Sequence, residues 1–295
     1  MKKPTIFTVF TAIFLCCALS LTGCGMNKKF NENTAITLTT RQDGSSIRSA
    51  FMDLIDLSGN AEPNNAAVKN DAEAVINEVK ENIYAIGYDT AGNMNSGVKA
   101  LKIDGVAPTE ANVRNGSYKL SRDFTLIYKQ ASLEKPENAE FLNFIKSMRA
   151  EEIIKNDGFI IINENMPEYN KTDVALAGTI NISGSAAIAP LMRLLADEFT
   201  REHPGVTVNI NETSNAAGYT EAEDGTADFG IAAGRFEAEH APNCMQHTIA
   251  AEAIAVIVNR ENLLDNITIS ELKNIYNTNA GQHAVTKWSQ LTNKQ

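Results

Sequence analysis

AITLTTRQDGSSIRSAFMDLIDL, residues 35–57, changes its periodicity in the middle. Ile36 to Thr40 alternate as a strand does, and IRSAFMDLIDL carries apolar residues at helical spacing, with a helix end expected near Ser58-Gly59. The join between them holds Arg41, Asp43, Gly44, Ser45 and Ser46: one guanidinium, one acid, a glycine and two hydroxyls. A helix start offers unpaired N–H groups and the positive end of the peptide dipoles, so such a turn can receive an anion. Arg41 adds a two-pronged donor suited to a tetrahedral oxyanion, and Asp43 is expected to hold that fork in place.

Two further turns have the same character. SGSAAIAP, residues 183–190, places Gly184-Ser185 before a helix whose first turn takes Pro190. ETSNAAGY, residues 212–219, leads from the strand VTVNI into a short helix. One serine or asparagine before a helix is an ordinary cap; three such turns with an arginine form a set. Elsewhere YAIGYDT, FTLIYKQ, TINIS, ADFGIAA and AIAVIVN read as strands. VKNDAEAVINEVKEN reads as a helix. ENAEFLNFIKSMRAEEIIKNDGF reads as one amphipathic helix stopped by Gly158, and TISELKNIYN as a last helix opened by Thr268 or Ser270. APLMRLLADEFTREH is expected to bury Leu191, Leu194, Leu195 and Phe199 on one face. Strands alternating with helices imply an α/β fold with largely parallel sheets.

The chain has 295 residues and a formal charge of -10, which argues against a nucleic-acid reader. The glycine motifs of dinucleotide and nucleoside-triphosphate sites are absent, as is a nucleophile elbow, and no cofactor is expected. His203, His240, His247 and His283 lack metal-ligand spacing and are expected on the surface or in caps. MKK followed by an apolar stretch and LTGC, Leu21 to Cys24, reads as an export signal. It resembles the bacterial lipoprotein lipobox, which implies removal of residues 1–23, lipid on Cys24 and a tether over 24–34. Cys16 and Cys17 would leave with the signal, so Cys244 has no partner for an internal disulfide.

TTRQDGSSIRSAF resembles the R-x-x-G-S-G-T-R-x-x-F segment of the phosphate-binding proteins that serve ABC phosphate importers. The resemblance continues through AIGYDTAG, VKALKIDGVAPTEANVRNGSYKLSRDFTLIYK and FLNFIKSMRAEEIIKNDGFI. It resumes in ISGSAAIAPLMRLLADEFTREHPGVTVNI, GTADFGIAAGRF, AIAVIVNRENLLDNITISELKNIY and WSQL. In the family the GS…P segment comes first and the arginine segment follows W-S-x-L. Here the order is reversed, as in a circular permutant whose old termini are joined through NENMPEYNKTDVALAG. A truncated tandem whose halves pair between chains is the alternative.

The resemblance implies a type II periplasmic-binding-protein-like α/β fold with two lobes. One would be discontinuous, residues 35–118 plus 260–295, and the other would span 119–259. It implies a ligand set of Arg41, Asp43, Gly44, Ser45, Ser46, Ile47, Ser185, Ala186, Ser214, Asn215 and Asp228. Asp228 would accept a hydrogen bond from protonated phosphate, and Trp288 would pack. Inorganic phosphate or a related oxyanion, an ABC permease and, through lipid on Cys24, the extracytoplasmic face of the bacterial cell membrane are the implied partners. Several family hydroxyls are missing: Ile47, Ala186, Ala187, Ala232 and Ala233 stand where the family has donors or small polar residues. Each lost neutral hydrogen bond is worth roughly 0.5–1.5 kcal/mol. A surface lipoprotein that kept the fold for sensing or partner binding is the second reading, and phosphate-ester hydrolysis a distant third.

Overall fold

A computed structural model describes residues 29–59, 65–163, 165–234 and 236–291. The proposed signal peptide and Cys24 lie outside them. The chain divides into the units Met1–Asn31 and Glu32–Gln295; only residues 29–31 of the first are described, and the sheet and helices belong to the second.

In chain order the elements are β1 (Thr37–Arg41), α1 (Ser46–Leu54), β2 (Ala67–Lys69), α2 (Ala72–Glu81), β3 (Ala85–Thr90), β4 (Val98–Ala100), β5 (Lys102–Ile103) and α3 (Glu110–Arg114). They continue with β6 (Ser121–Tyr128), α4 (Pro136–Ile145), α5 (Met148–Asn156), β7 (Gly178–Ser185), α6 (Ala189–Glu202), β8 (Val206–Thr213) and α7 (Asn215–Asp224). β9 (Phe229–Ala233), β10 (Met245–Asn259), β11 (Asn266–Ile267) and α8 (Ile269–Tyr276) complete the order. Among the described residues, one nine-stranded sheet runs β2-β1-β3-β10-β6-β9-β7-β8, with β4 also on β10.

β10 joins the two halves of that sheet. Its first part, Met245 to Ala253, pairs antiparallel with β6, and its second part, Ile254 to Val258, pairs antiparallel with β3. Sequence periodicity marks only AIAVIVN, because MQHTIAAEA interleaves polar residues with alanines. Each half has its own core. Phe51 stacks on Tyr88 at 3.9 Å, and Tyr276 meets Phe51 edge-on at 5.0 Å, all three buried. Phe141, Phe199 and Phe229 cluster with Ile180 and Leu195 in the other half. Removing each such side chain from water contributes about 1.5–3 kcal/mol.

Two expectations are corrected here. The long helix ending at Gly158 is two helices, α4 and α5, broken at Lys146-Ser147. Buried Ser147 turns its hydroxyl onto the Phe144 carbonyl at 2.6 Å, which competes with helix continuation, and the Met148 N–H leaves to the Pro167 carbonyl at 2.8 Å. On α6, Leu191, Leu195 and Phe199 are buried, whereas Leu194 is 44% exposed. At about 100° per residue it sits at the edge of their stripe.

Candidate functional site

The strand directions bring the expected turns to one place. β1 and β3 are parallel, and β3 stops at Thr90 opposite Ile254 of β10. β7 and β8 run parallel to β9, which stops at Ala233. Ala233 pairs with Phe124 of β6, which in turn faces Ala250 of β10. The two sets of carboxyl ends therefore point toward each other across the middle of β10. Ala250 and Ile254 are four residues apart, about 13 Å along a strand. Helix starts and turns at such ends are where open α/β sheets hold ligands.

From one side comes the turn after β1. Gly44 has φ +81, a left-handed conformation that favours glycine, and it swings the chain into α1. Ser45 is the N-cap residue, yet its side chain makes no capping hydrogen bond. That leaves the hydroxyl available beside the first-turn N–H groups of Ser46, Ile47 and Arg48. Ile47 is buried, so its side chain packs and only its backbone is offered.

Arg41 lies at the end of β1. Its Nη1 donates to Asp89 Oδ2 at 3.0 Å and its Nη2 to the Asn70 carbonyl at 3.2 Å. Its Nε is buried with no hydrogen-bond partner. The expected brace, Asp43, is instead exposed and paired with Arg48. Asp43 follows the strand into the turn and points outward, while parallel pairing of β1 and β3 brings Asp89 to the guanidinium from 48 residues away. The only sequence signal for Asp89 is an acid near the end of an otherwise apolar strand.

From the other side come β7, β8 and β9. Ser185 is buried at the end of β7, and its Oγ accepts a long 3.4 Å hydrogen bond from the Ala187 N–H; Ala186 is exposed. Ile188, the N-cap residue of α6, has no side chain that can cap. Gly184, at φ +143, passes so close to the Ile231 carbonyl that a Cβ would sit 2.0 Å from its oxygen. A Cβ on Gly218 would sit 2.6 Å from the same oxygen, so its absence lets α7 lie directly on β7 and β9. Ser214 caps α7 by accepting from the Ala217 N–H at 3.2 Å. Asn215 is committed to Ala233: its Nδ2 donates to the carbonyl at 2.7 Å and its Oδ1 accepts the N–H at 2.9 Å.

Asp228 does not join this set. It precedes β9, and its N–H bonds Asn181 of β7, four residues before Ser185, so it lies on the far side of the strands from the turns. Its carboxylate is already used: Oδ1 accepts from Lys135 Nζ at 2.7 Å and Asn138 Nδ2 at 3.0 Å, and Oδ2 from the Asn181 N–H at 2.8 Å. Against the cost of burial, these donors hold its pKa below the usual aspartate value. The group fastens α4 to the sheet.

Thr90, Arg122 and Glu252, which no local sequence pattern marks, line the junction. Arg122 Nε donates to Glu252 Oε2 at 2.8 Å, and the Thr90 hydroxyl donates to Glu252 Oε1 at 2.7 Å, so β3, β10 and β6 are tied together there. The junction thus holds two guanidiniums, each matched by a largely buried carboxylate.

His240 and His283 are exposed and His203 is the C-cap residue of α6, as expected, whereas His247 lies half-buried within β10. His203 is buried at that cap, 2.7 Å from the Tyr169 hydroxyl and near Glu140, and burial lowers its pKa. His247 is pushed down to about 4, chiefly by burial and then by Lys146. Cys244 is pushed up to about 11 by burial and by Glu223 beside it. Trp288 is buried. Among the described residues no group of three His, Cys, Asp or Glu is placed to hold a metal. A cavity of about 600 Å³ lies by Lys171, Glu202 and His203, and a shallower one of about 610 Å³ by Arg114 and Asn163. Neither is lined by residues of the converging turns.

The sequence matches the family described as the PBP superfamily domain over residues 24–149 and 170–295. It is 28% identical to "Phosphate-binding protein PstS 2" of Streptococcus agalactiae serotype V over 99% of this chain and 100% of the relative. A protein of the same name from Streptococcus pneumoniae serotype 4 is 29% identical, over 90% of this chain and 96% of its own. The structure resembles the crystal structure of a phosphate-binding protein of a phosphate ABC transporter from S. pneumoniae TIGR4. The TM-score is 0.79 at 29% identity, covering 88% of this chain and all of that one.

Proposed function

The chain belongs to the PBP superfamily, and from that premise we propose that it captures inorganic phosphate outside the cytoplasmic membrane and delivers it to an ABC permease. One observation carries the ligand class. Arg41 is fixed at a strand end with a buried, unpartnered Nε, next to a helix start whose Ser45 hydroxyl is not spent on capping. The names of the relatives that match end to end point the same way. In this reading Arg41 grips the anion with Gly44, Ser45, Ser46 and the Ile47 N–H, and Ser185, Ala186 and Ser214 close on it from the other lobe. Asp43 shapes the turn by holding Arg48. Asn215 contributes by fixing the α7 start to β9.

Lipid on Cys24 anchors the protein to the outer face of the membrane, with 24–34 as tether. The lobes are 35–118 plus 260–295 and 119–259, in the permuted order inferred from the segment sequence. Mass spectrometry of the membrane-extracted protein tests the anchor: a diacylglyceryl mass on Cys24 is expected, and an unmodified Cys24 contradicts it. Titration with phosphate and with sulfate tests the ligand.

A second reading, a surface lipoprotein that retains the fold for sensing or partner binding, is favoured by the alanines at 186, 187, 232 and 233. A melting temperature that ignores both phosphate and sulfate supports it.

A further inference from the structure

We propose that Asp89 is the positioning residue that aims Arg41 at the bound anion, an inference that rests on the phosphate-binding reading. An arginine side chain has many rotamers, and an anion gains from it only where the fork is held before the ligand arrives. Asp89 is built to do this. Its carboxylate is 2% exposed, and its two oxygens have separate tasks. Oδ1 accepts from the Thr90 N–H at 2.8 Å and from Asn93 Nδ2 at 2.9 Å. That fixes the plane of the group and leaves Oδ2 facing Arg41 Nη1 at 3.0 Å. The Asn70 carbonyl takes Nη2, so two of the five guanidinium donors face the protein and three remain.

A carboxylate in this place has two opposite effects on anion affinity. As a counter-charge it weakens binding by cancelling Arg41. As a brace it strengthens binding by orienting the fork. The bond pattern favours the brace, because the Thr90 N–H and Asn93 demand an acceptor at Oδ1. In Asp89→Asn the amide oxygen must occupy that place, which turns the NH2 group against Arg41 Nη1, donor against donor. The isosteric change thus removes the charge and the aim together, and the direction of the affinity change separates the two effects.

The test is calorimetric titration of the full-length chain with inorganic phosphate, for wild type, D89N, R41A and R41A/D89N, and for N93A. Urea unfolding serves as the folding control. Positioning predicts that D89N weakens phosphate at least tenfold and that D89N adds nothing on the R41A background. N93A keeps the charge, frees the carboxylate plane and weakens binding two- to fivefold; it also preserves the test if D89N does not fold. A D89N chain that binds phosphate as tightly as wild type, or more tightly, overturns the positioning role. So does an N93A chain with unchanged affinity where D89N cannot be measured. A wild-type chain that takes up no phosphate overturns the functional reading and the positioning role with it.

Discussion

Arg122 and Glu252 are bound to each other across β6 and β10, Nε and Nη2 both reaching Oε2, at 2.8 and 2.6 Å, with little exposure of either side chain. The pair sits at the middle of β10, between the two sets of strand ends. A buried pair adds little compared with apolar replacement, but removing one partner leaves an uncompensated charge.

Glu252→Ala is therefore expected to destabilise the protein by about 3–5 kcal/mol. At about 2–4 °C per kcal/mol for a chain of this size, the melting temperature falls by on the order of 10 °C. Scanning calorimetry checks it, and a double-mutant cycle with Arg122→Ala should show strong coupling. Additive effects would contradict the pairing.

Ser45 and Ser214 look alike in sequence and differ in the structure. The Ser214 oxygen caps α7, so Ser214→Ala should cost about 0.5–2 kcal/mol of stability. The Ser45 hydroxyl caps nothing, so Ser45→Ala should leave the melting temperature within about a degree and weaken phosphate by roughly two- to tenfold. Thermal melts and phosphate titrations on both variants distinguish them; a reversed pattern would exchange their roles.

Asp228→Ala should lower stability and leave phosphate affinity within about twofold, because all its partners belong to the protein. A large loss of affinity at unchanged stability would return Asp228 to the site.

The contrast among these residues marks what the sequence could disclose. Strand-helix alternation, the three turns and Arg41 follow from local periodicity and local chemistry, and the structure has them as elements. Asp89, Thr90, Arg122 and Glu252 are separated from their partners by 48 to 162 residues, and only the sheet register brings them together. A motif position does not say which end of a strand a residue occupies, and the sheet register puts Asp228 just before β9, with its carboxylate on Lys135, Asn138 and the Asn181 N–H. The break at Ser147 was hidden because a serine inside an amphipathic run leaves the apolar spacing intact.

Burial of His247 gives a pH dependence with a definite sign. Its pKa is about 4 in the folded protein and near 6.5 when unfolded, so the unfolded chain binds the extra proton first. The stabilisation is complete above pH 6.5 and is lost as pH falls through the window down to about 4. His247→Gln should flatten urea midpoints over that window relative to wild type. Parallel curves for the two proteins would show that His247 is not the group responsible.

The most direct measurement is isothermal titration of purified wild-type and Arg41→Ala protein with inorganic phosphate, with sulfate as competitor. Wild-type protein should bind one phosphate per chain, and removing Arg41 should cost about 1.5–3 kcal/mol, roughly ten- to a hundredfold in Kd. Equal heats for the two proteins, or none from either, would contradict phosphate capture by Arg41.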